Sequence, residues 1–206
     1  MSVQANEKWD REVDLLILGA GAAGMTTGLV AALEGLKPLI LEKSGQVGGT
    51  AATSAGTIWI PGNQQSVNAG FVDRASDAEA YLDALVGAPD AAGLRKTYLE
   101  TGPLAVDYLR EKTDVKFVPS GKHPDYRDLG GAALVGRTLA PAIFDGRLLG
   151  KDFGGVRPPI PEFMVLGGMM AGKDDIPKLI ERFKSIGNFV YAGKLFWRYV
   201  MDRLRF

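Results

Sequence analysis

Val13-Asp14-Leu15-Leu16-Ile17-Leu18-Gly19-Ala20-Gly21-Ala22-Ala23-Gly24 is the stretch that decides the fold. An apolar run, short enough for a strand, feeds directly into Gly-x-Gly-x-x-Gly. Small residues follow with Leu29, Val30 and Leu33 among them, and they predict a helix. Pro38-Leu39-Ile40-Leu41 predicts a second strand, which ends at the acid Glu42. Strand, helix and strand in that order open a parallel sheet, so the fold class is α/β and Rossmann-like.

The glycine spacing and the placed acid are those of a dinucleotide-binding unit. Gly19 lets the chain turn sharply off the strand. Gly21 has no side chain, so a pyrophosphate can approach the backbone. Gly24 lets the helix sit close to the strand. Ala22 and Ala23 start the helix, where free N–H groups and a partial positive charge suit phosphates. Glu42 can accept hydrogen bonds from a ribose diol and repels a 2′-phosphate. NADP is thereby disfavoured, and NAD and FAD remain. The plain alternative is a doubly wound domain that keeps its glycine turns for packing only.

The totals narrow the function classes. The chain has 206 residues, 46% of them apolar, enough for one sizeable domain with a real core. Formal net charge is zero, which gives no reason to expect nucleic-acid binding. Cysteine is absent, which excludes a disulfide, a thiolate metal site and a cysteine nucleophile from this chain, and the single histidine, His123, excludes a multi-histidine metal site. Met1 to Asp10 is polar and lacks the basic start and apolar centre of a secretion signal. No apolar run approaches the ~20 residues of a membrane span, so a soluble cytoplasmic protein is expected. Of 27 glycines, nine fall between Gly19 and Gly56, a concentration that suits backbone lying close to a bound molecule.

Residues 1–12 read as a lead-in and 13–62 as the dinucleotide-binding core. After Glu42 the chain continues Lys43-Ser44-Gly45-Gln46-Val47-Gly48-Gly49-Thr50-Ala51-Ala52-Thr53-Ser54-Ala55-Gly56-Thr57-Ile58-Trp59-Ile60-Pro61. Small residues dominate and no 3.6-residue apolar period is present. This predicts a loop with a short helix after Gly49, closing on Ile58-Trp59-Ile60. Gly19 to Gly24, Glu42-Lys43, Gly48-Gly49-Thr50 and Ser54 to Pro61 together resemble the FAD-dependent fumarate reductase and 3-ketosteroid dehydrogenase superfamily. The Ile-Trp-Ile-Pro ending resembles the ketosteroid dehydrogenase branch more than the fumarate reductases. The resemblance implies FAD, with Gly19, Gly21, Ala22, Ala23, Gly24, Glu42, Lys43 and Ser44 on the adenosine side. It places Gly49, Thr50, Ala51, Ser54, Ala55, Gly56 and Thr57 along the pyrophosphate and flavin ring. The chemistry agrees, since a flat ring needs backbone amides and small side chains beside it.

Residues 63–206 read as a helical excursion with substrate-side loops. Ser76 or Asp77 can cap a helix with Tyr81, Leu82, Leu85 and Val86 on one face, broken at Gly87-Ala88-Pro89. Asp90 can cap a second helix and Gly102-Pro103 can begin a third. Tyr81, Tyr98 and Tyr108 sit at helical spacing and read as core or boundary residues. Val115 to Val118 predicts a short strand, and His123-Pro124-Asp125-Tyr126-Arg127-Asp128 a loop or extended edge. In ketosteroid dehydrogenases a Pro-Asp-Tyr segment followed by Gly-Arg-x-x-x-Pro stands here, matched by Tyr126 and by Gly136-Arg137 to Pro141. The resemblance makes Tyr126 a catalytic tyrosine that supports a second tyrosine acting as base. A phenol titrates near 10, and a neighbouring phenol that donates a hydrogen bond lowers that value. Read by itself, Tyr126 is a loop residue with a wet hydroxyl, and His123 reads as a surface residue.

Phe144, Leu148, Leu149, Phe153, Phe163 to Leu166, Met169 and Met170 suit either a pocket for a flat apolar substrate or a plain core. Asp174 or Asp175 caps a helix with Pro177 in its first turn, Gly187-Asn188 interrupts, and Phe189 to Phe206 predicts a last helix. Residues 173–206 carry eight basic and four acidic side chains, a net +4. An aromatic, basic helix suits packing on further protein or contact with a membrane surface. The resemblance covers only the front part of the family's chain, so the flavin domain is expected to be incomplete at the C-terminus. The expected activity is FAD-dependent dehydrogenation of a 3-ketosteroid or similar small apolar ketone, with an external electron acceptor. A fumarate reductase-like flavoprotein and a non-catalytic domain that packs on a partner are the alternatives.

Overall fold

The computed structural model describes residues 9–205 except 88, 89, 91, 167, 173 and 174. Two compact units divide the chain, residues 1–157 and 158–206. The first opens with β1 (Leu15–Leu18), α1 (Ala22–Leu33) and β2 (Pro38–Leu41). β1 and β2 are parallel, with Leu15 opposite Pro38 and Leu18 opposite Leu41. The parallel pairing needs a crossover, and α1 supplies it.

Small residues bring α1 onto the pair. A Cβ built at Gly24 lies 1.9 Å from the Gly19 carbonyl oxygen, and one at Gly28 lies 2.8 Å from Ile40 Cδ1. Ile17 and Ala31 are buried at this contact. Leu16 and Leu18 alternate to the opposite face of β1 and are 54% and 79% exposed. The β1–β2 pair is therefore covered on one face only.

A single 3₁₀ turn, Ala51–Thr53, follows, then β3 (Ile58–Trp59). β3 joins an antiparallel sheet with β4 (Phe117–Pro119) and β5 (Thr138–Pro141), in the order β3-β5-β4. Between β3 and β4 lie α2 (Gln64–Asn68), α3 (Ala75–Val86) and α4 (Leu94–Lys112). Ile60, Val106 and Leu139 form the buried core, with Ile58 and Phe117 packed against it. Asn63 is fully buried and caps α2, accepting from the Ser66 N–H at 2.8 Å while its amide donates to the Ile60 and Gly136 carbonyls.

Several helix boundaries differ from the sequence expectation. α3 starts at Ala75, so Ser76 and Asp77 lie inside its first turn and neither is the cap. Asp90 does serve α4, accepting from the N–H groups of Leu94, Arg95 and Lys96. No third helix begins at Gly102-Pro103; α4 runs through Pro103 unbroken. The residue before a proline avoids the helical region largely because its own Cβ meets the proline ring, and Gly102 has no Cβ. The Gly87-Ala88-Pro89 break falls in part outside the described residues; Gly87 itself ends α3 at φ 87°.

The second unit holds the short pair β6 (Met164–Val165) and β7 (Met169–Met170), then α5 (Asp175–Ile180) and α6 (Ile186–Arg205). Asp175 sits in the first turn of α5 and accepts the Gly172 N–H, whereas Asp174 lies outside the described residues. Gly187-Asn188 does not interrupt: it lies within the first turn of α6, where Ser185 Oγ accepts the Asn188 N–H. A serine cap outweighs the low helix propensity of Gly and Asn in a first turn. No helix among the described residues is long and apolar enough to cross a membrane.

Candidate functional site

The two glycine segments meet. The Gly48 N–H donates to the Ala20 carbonyl at 2.7 Å, and a Cβ built at Gly49 lies 2.9 Å from Gly21 Cα. Gly48 and Gly49 take φ of 113° and 54°, conformations that favour glycine. Val47 bridges in parallel to Val156, with its N–H on the Gly155 carbonyl at 2.8 Å, and this anchors the second segment from behind. The result is one strip of backbone, with residues 19–24 on one side and 48–57 on the other.

Each glycine of the first segment has a separate reason. Gly19 holds φ 98°, a turn off β1 that a side chain resists. Gly24 is required by packing, as its contact with the Gly19 carbonyl shows. Gly21 is required by neither. Its φ of −77° and ψ of −174° suit any residue, and no described atom lies within 4 Å of a Cβ built there. Among the described residues no side chain caps α1 at Gly21, and no acidic residue sits in its first turn. The donor set at Gly21, Ala22 and Ala23 is thus backbone N–H at a helix N-terminus, the chemistry that holds a phosphate.

Glu42 closes the strip at the tip of β2. Its Oε2 accepts the Ala20 N–H at 2.8 Å, and its Oε1 accepts the Ser44 N–H at 3.0 Å. The Ser44 hydroxyl lies 3.0 Å from the same Oε1 and 2.7 Å from the Gln46 carbonyl. The Ala20 amide, followed by Ser44, lowers the carboxyl from its ordinary 4.5 to about 2. A charged Glu42 therefore braces the first glycine turn. Lys43 is exposed beside it.

Along the second segment, Ser54 Oγ donates to the Ala51 carbonyl and accepts the Gly56 N–H, so its hydroxyl shapes the turn. Thr50, Ala51, Ala55 and Thr57 are exposed, and Gly56, at φ 69°, rests near the Pro141 ring. Trp59 then stacks on Tyr98 at 6.5 Å between ring centroids, and the Tyr98 hydroxyl donates to the Trp59 carbonyl. Burial pushes the Tyr98 phenol up from 10.0.

Tyr126 lies on the loop between β4 and β5 and is 94% exposed. Both of its neighbours are anchored. Asp125 pairs with Ala133 through backbone and side chain, and the Arg127 N–H reaches the Tyr81 hydroxyl at 3.4 Å. Asp125 Oδ1 accepts the Trp59 indole N–H at 2.7 Å, which joins this loop to the end of the second glycine segment. Asp73 had no role legible in the sequence, and Asp125 and Arg137 stood in it only as parts of motifs. The available signal was an arginine placed directly before the apolar strand Thr138–Pro141.

Phe144, Leu148 and Phe153 in the first unit, and Leu166 and Met170 in the second, are more than half exposed, whereas Phe163, Met164, Val165 and Met169 are half-buried.

An FAD binding domain profile matches residues 14–204, and the chain belongs to that family of flavin-binding domains. Its cofactor is FAD, as the resemblance implies. Over 197 residues the chain is 40% identical to a 4-oxocyclohex-2-ene-1-carboxylate 5-dehydrogenase of Sinomonas cyclohexanicum, covering 94% of this chain and 32% of that protein. It is 35% identical over 161 residues to a 3-oxosteroid 1-dehydrogenase of Mycolicibacterium smegmatis, covering 76% and 28%. The crystal structure of a 3-ketosteroid delta1-dehydrogenase from Sterolibacterium denitrificans in complex with 1,4-androstadiene-3,17-dione superposes at a TM-score of 0.78 and 31% identity, covering 92% and 33%. The chain spans about a third of the length of these relatives.

Proposed function

We propose that this chain is the FAD-holding front part of a dehydrogenase that introduces a C=C bond beside the ketone of a six-membered ring, most specifically a 3-ketosteroid. The observation that carries the reading is the meeting of the two glycine segments, Gly48 on Ala20 and Gly49 on Gly21. Bare backbone from two neighbouring segments suits an extended dinucleotide. The names of the relatives support the reaction, since they share a ring ketone although one is a steroid and the other a small carboxylate.

In this reading residues 13–62 form the cofactor core and 63–206 the excursion and substrate-side loops. Gly21, Ala22 and Ala23 offer N–H groups to the pyrophosphate, with Gly19 and Gly24 setting the turn and the helix. Glu42, with Lys43 and Ser44 beside it, holds the ribose end as a fixed anion. Gly49, Thr50, Ala51, Ser54, Ala55, Gly56 and Thr57 leave a slot for a flat ring. FAD, when bound, supplies the acceptor for the hydride that leaves the substrate. Tyr126 donates its phenol hydrogen bond to the group that takes the proton next to the ketone, which eases that group's ionisation. An external acceptor reoxidises the flavin, and the setting is cytoplasmic.

Two measurements test this. Flavin absorbance of the purified chain separates a cofactor domain from a packing module. Dye reduction dependent on a 3-ketosteroid, on fumarate or on 4-oxocyclohexanecarboxylate, run with the chain and with the complete reading frame, separates the substrates. Colourless protein that takes up no added FAD, or reduction with fumarate alone, would sink the reading.

A further inference from the structure

Among the described residues the most deeply buried charges are those of Arg137, Asp73 and Asp125, and the proposed reaction uses none of them. Arg137 donates from Nε to Asp73 at 2.9 Å and from Nη1 to Asp125 at 2.8 Å, with side chains only 2%, 5% and 2% exposed. Its guanidinium also lies 5.7 Å from the Trp59 ring centroid and 5.9 Å from that of Tyr81. Two carboxylates against one cation leave an excess of negative charge, and N–H donors meet it. Gly62 donates to Asp73, and both Ala133 and the Trp59 indole donate to Asp125. Taking three charges out of water is costly, and apolar packing can give equal stability. What such a cluster adds is fixed direction.

That direction bears on one loop. Asp125 is the residue before Tyr126, and its carboxylate is held at once from Arg137, from Ala133 and from Trp59 at the end of the second glycine segment. Tyr126 itself is 94% exposed, and among the described residues no side chain holds its hydroxyl. Its location is therefore inherited from its two neighbours, Arg127 through one N–H on the Tyr81 hydroxyl and Asp125 through the larger set of bonds. We propose that Arg137 is a positioning residue that fixes Tyr126 relative to the flavin-side segment through Asp125 and Trp59; this rests on the dehydrogenase reading above. Only a planar fork can address two separate carboxylates from Nε and Nη1, so lysine is a poor substitute.

Two variants test it, Arg137→Lys and the milder Trp59→Phe, which removes one hydrogen bond and keeps a ring. The first readout is amide exchange on the chain itself. The Asp125 and Ala133 amides should exchange at least about tenfold faster in Arg137→Lys, and less so in Trp59→Phe. The Gly19 and Gly48 amides, bonded to Leu41 and Ala20, should keep their rates. Unchanged loop amides overturn the proposal, and so does a rise at all four together, which would mark a general stabiliser. The second readout is turnover of a 3-ketosteroid by the flavin-loaded product of the complete reading frame. Arg137→Lys should lower kcat on the order of a hundredfold with KM and flavin content unchanged. Added to Tyr126→Phe it should cost nothing more, and a multiplicative loss in the double variant overturns the proposal. Normal turnover in Tyr126→Phe alone overturns the role given to Tyr126, while the exchange rates still decide whether Arg137 sets the loop.

Discussion

The Gly48 N–H points at the Ala20 carbonyl from 2.7 Å, so two segments 28 positions apart in sequence share one strip of backbone. Ala20 is the centre of that arrangement. Its carbonyl accepts Gly48, and its own N–H is given to Glu42 at 2.8 Å. The first glycine turn is thus clamped from both sides by the chain's own groups, and a turn held in this way lowers the ordering cost of binding a ligand.

In the proposed reading Gly21 serves a ligand, since neither its backbone conformation nor its packing requires glycine. A Gly21→Leu variant has a permitted backbone conformation and meets no described protein atom at Cβ. It should fold with a melting temperature close to the parent and yet purify without flavin. The ratio of flavin to protein absorbance checks this, and a yellow variant with normal flavin content would show the pyrophosphate to lie elsewhere.

Gly24 should behave in the opposite way. An added methyl lands 1.9 Å from the Gly19 carbonyl oxygen, a backbone atom that cannot swing aside. Gly24→Ala should therefore cost about 3 kcal/mol, the upper end for overpacking a core. Thermal or denaturant unfolding of the variant measures it, and a loss below about 1 kcal/mol would mean that α1 shifts freely on β1.

How much of this was legible in the sequence depends on where the information resides. The turn at Gly19 and the close packing at Gly24 were readable because that spacing encodes a backbone path. The second segment was readable as small residues closing on Trp59. Its contact with the first was an inference from resemblance, since nothing local in Gly48-Gly49 says what it touches. β5 went unnoticed because it opens on the polar Thr138 and ends at Pro141, which leaves only Leu139 and Ala140 as an apolar signal. The Arg137 cluster was invisible for a similar reason. Its partners lie 64 and 12 positions away, and no periodicity links them. Pro103 misled because a helix break is the usual reading of proline, and Gly102 removes the usual clash.

Asn63 marks a second place where the fold rests on one buried polar side chain. It is fully buried and makes three hydrogen bonds, to the Ile60 and Gly136 carbonyls and from the Ser66 N–H. Asn63→Ala strands two carbonyls and an amide next to the Ile60–Val106–Leu139 core. The expected loss is about 3 kcal/mol, which denaturant unfolding would read directly. Asn63→Asp keeps the cap on Ser66 but turns two donors into acceptors facing carbonyls, and it should be no better.

Glu42 supplies a pH dependence with a definite sign. Its folded value of about 2 lies below the ordinary 4.5, so the unfolded chain takes up the proton first. The contribution of the carboxylate is complete above pH 4.5 and is lost as pH falls from there towards 2. Between about pH 6 and about pH 8 Glu42 stays charged and adds no pH dependence to stability or flavin retention. Glu42→Gln removes the charge but can still accept one N–H. It should be less stable than the parent at neutral pH by an amount that stays constant there, shrinks below pH 4.5 and vanishes near 2. Melting curves of the two proteins across this range check the sign. A gap that widens on acidification would mean that the Ala20 and Ser44 amides do not hold the carboxylate as the structure has them.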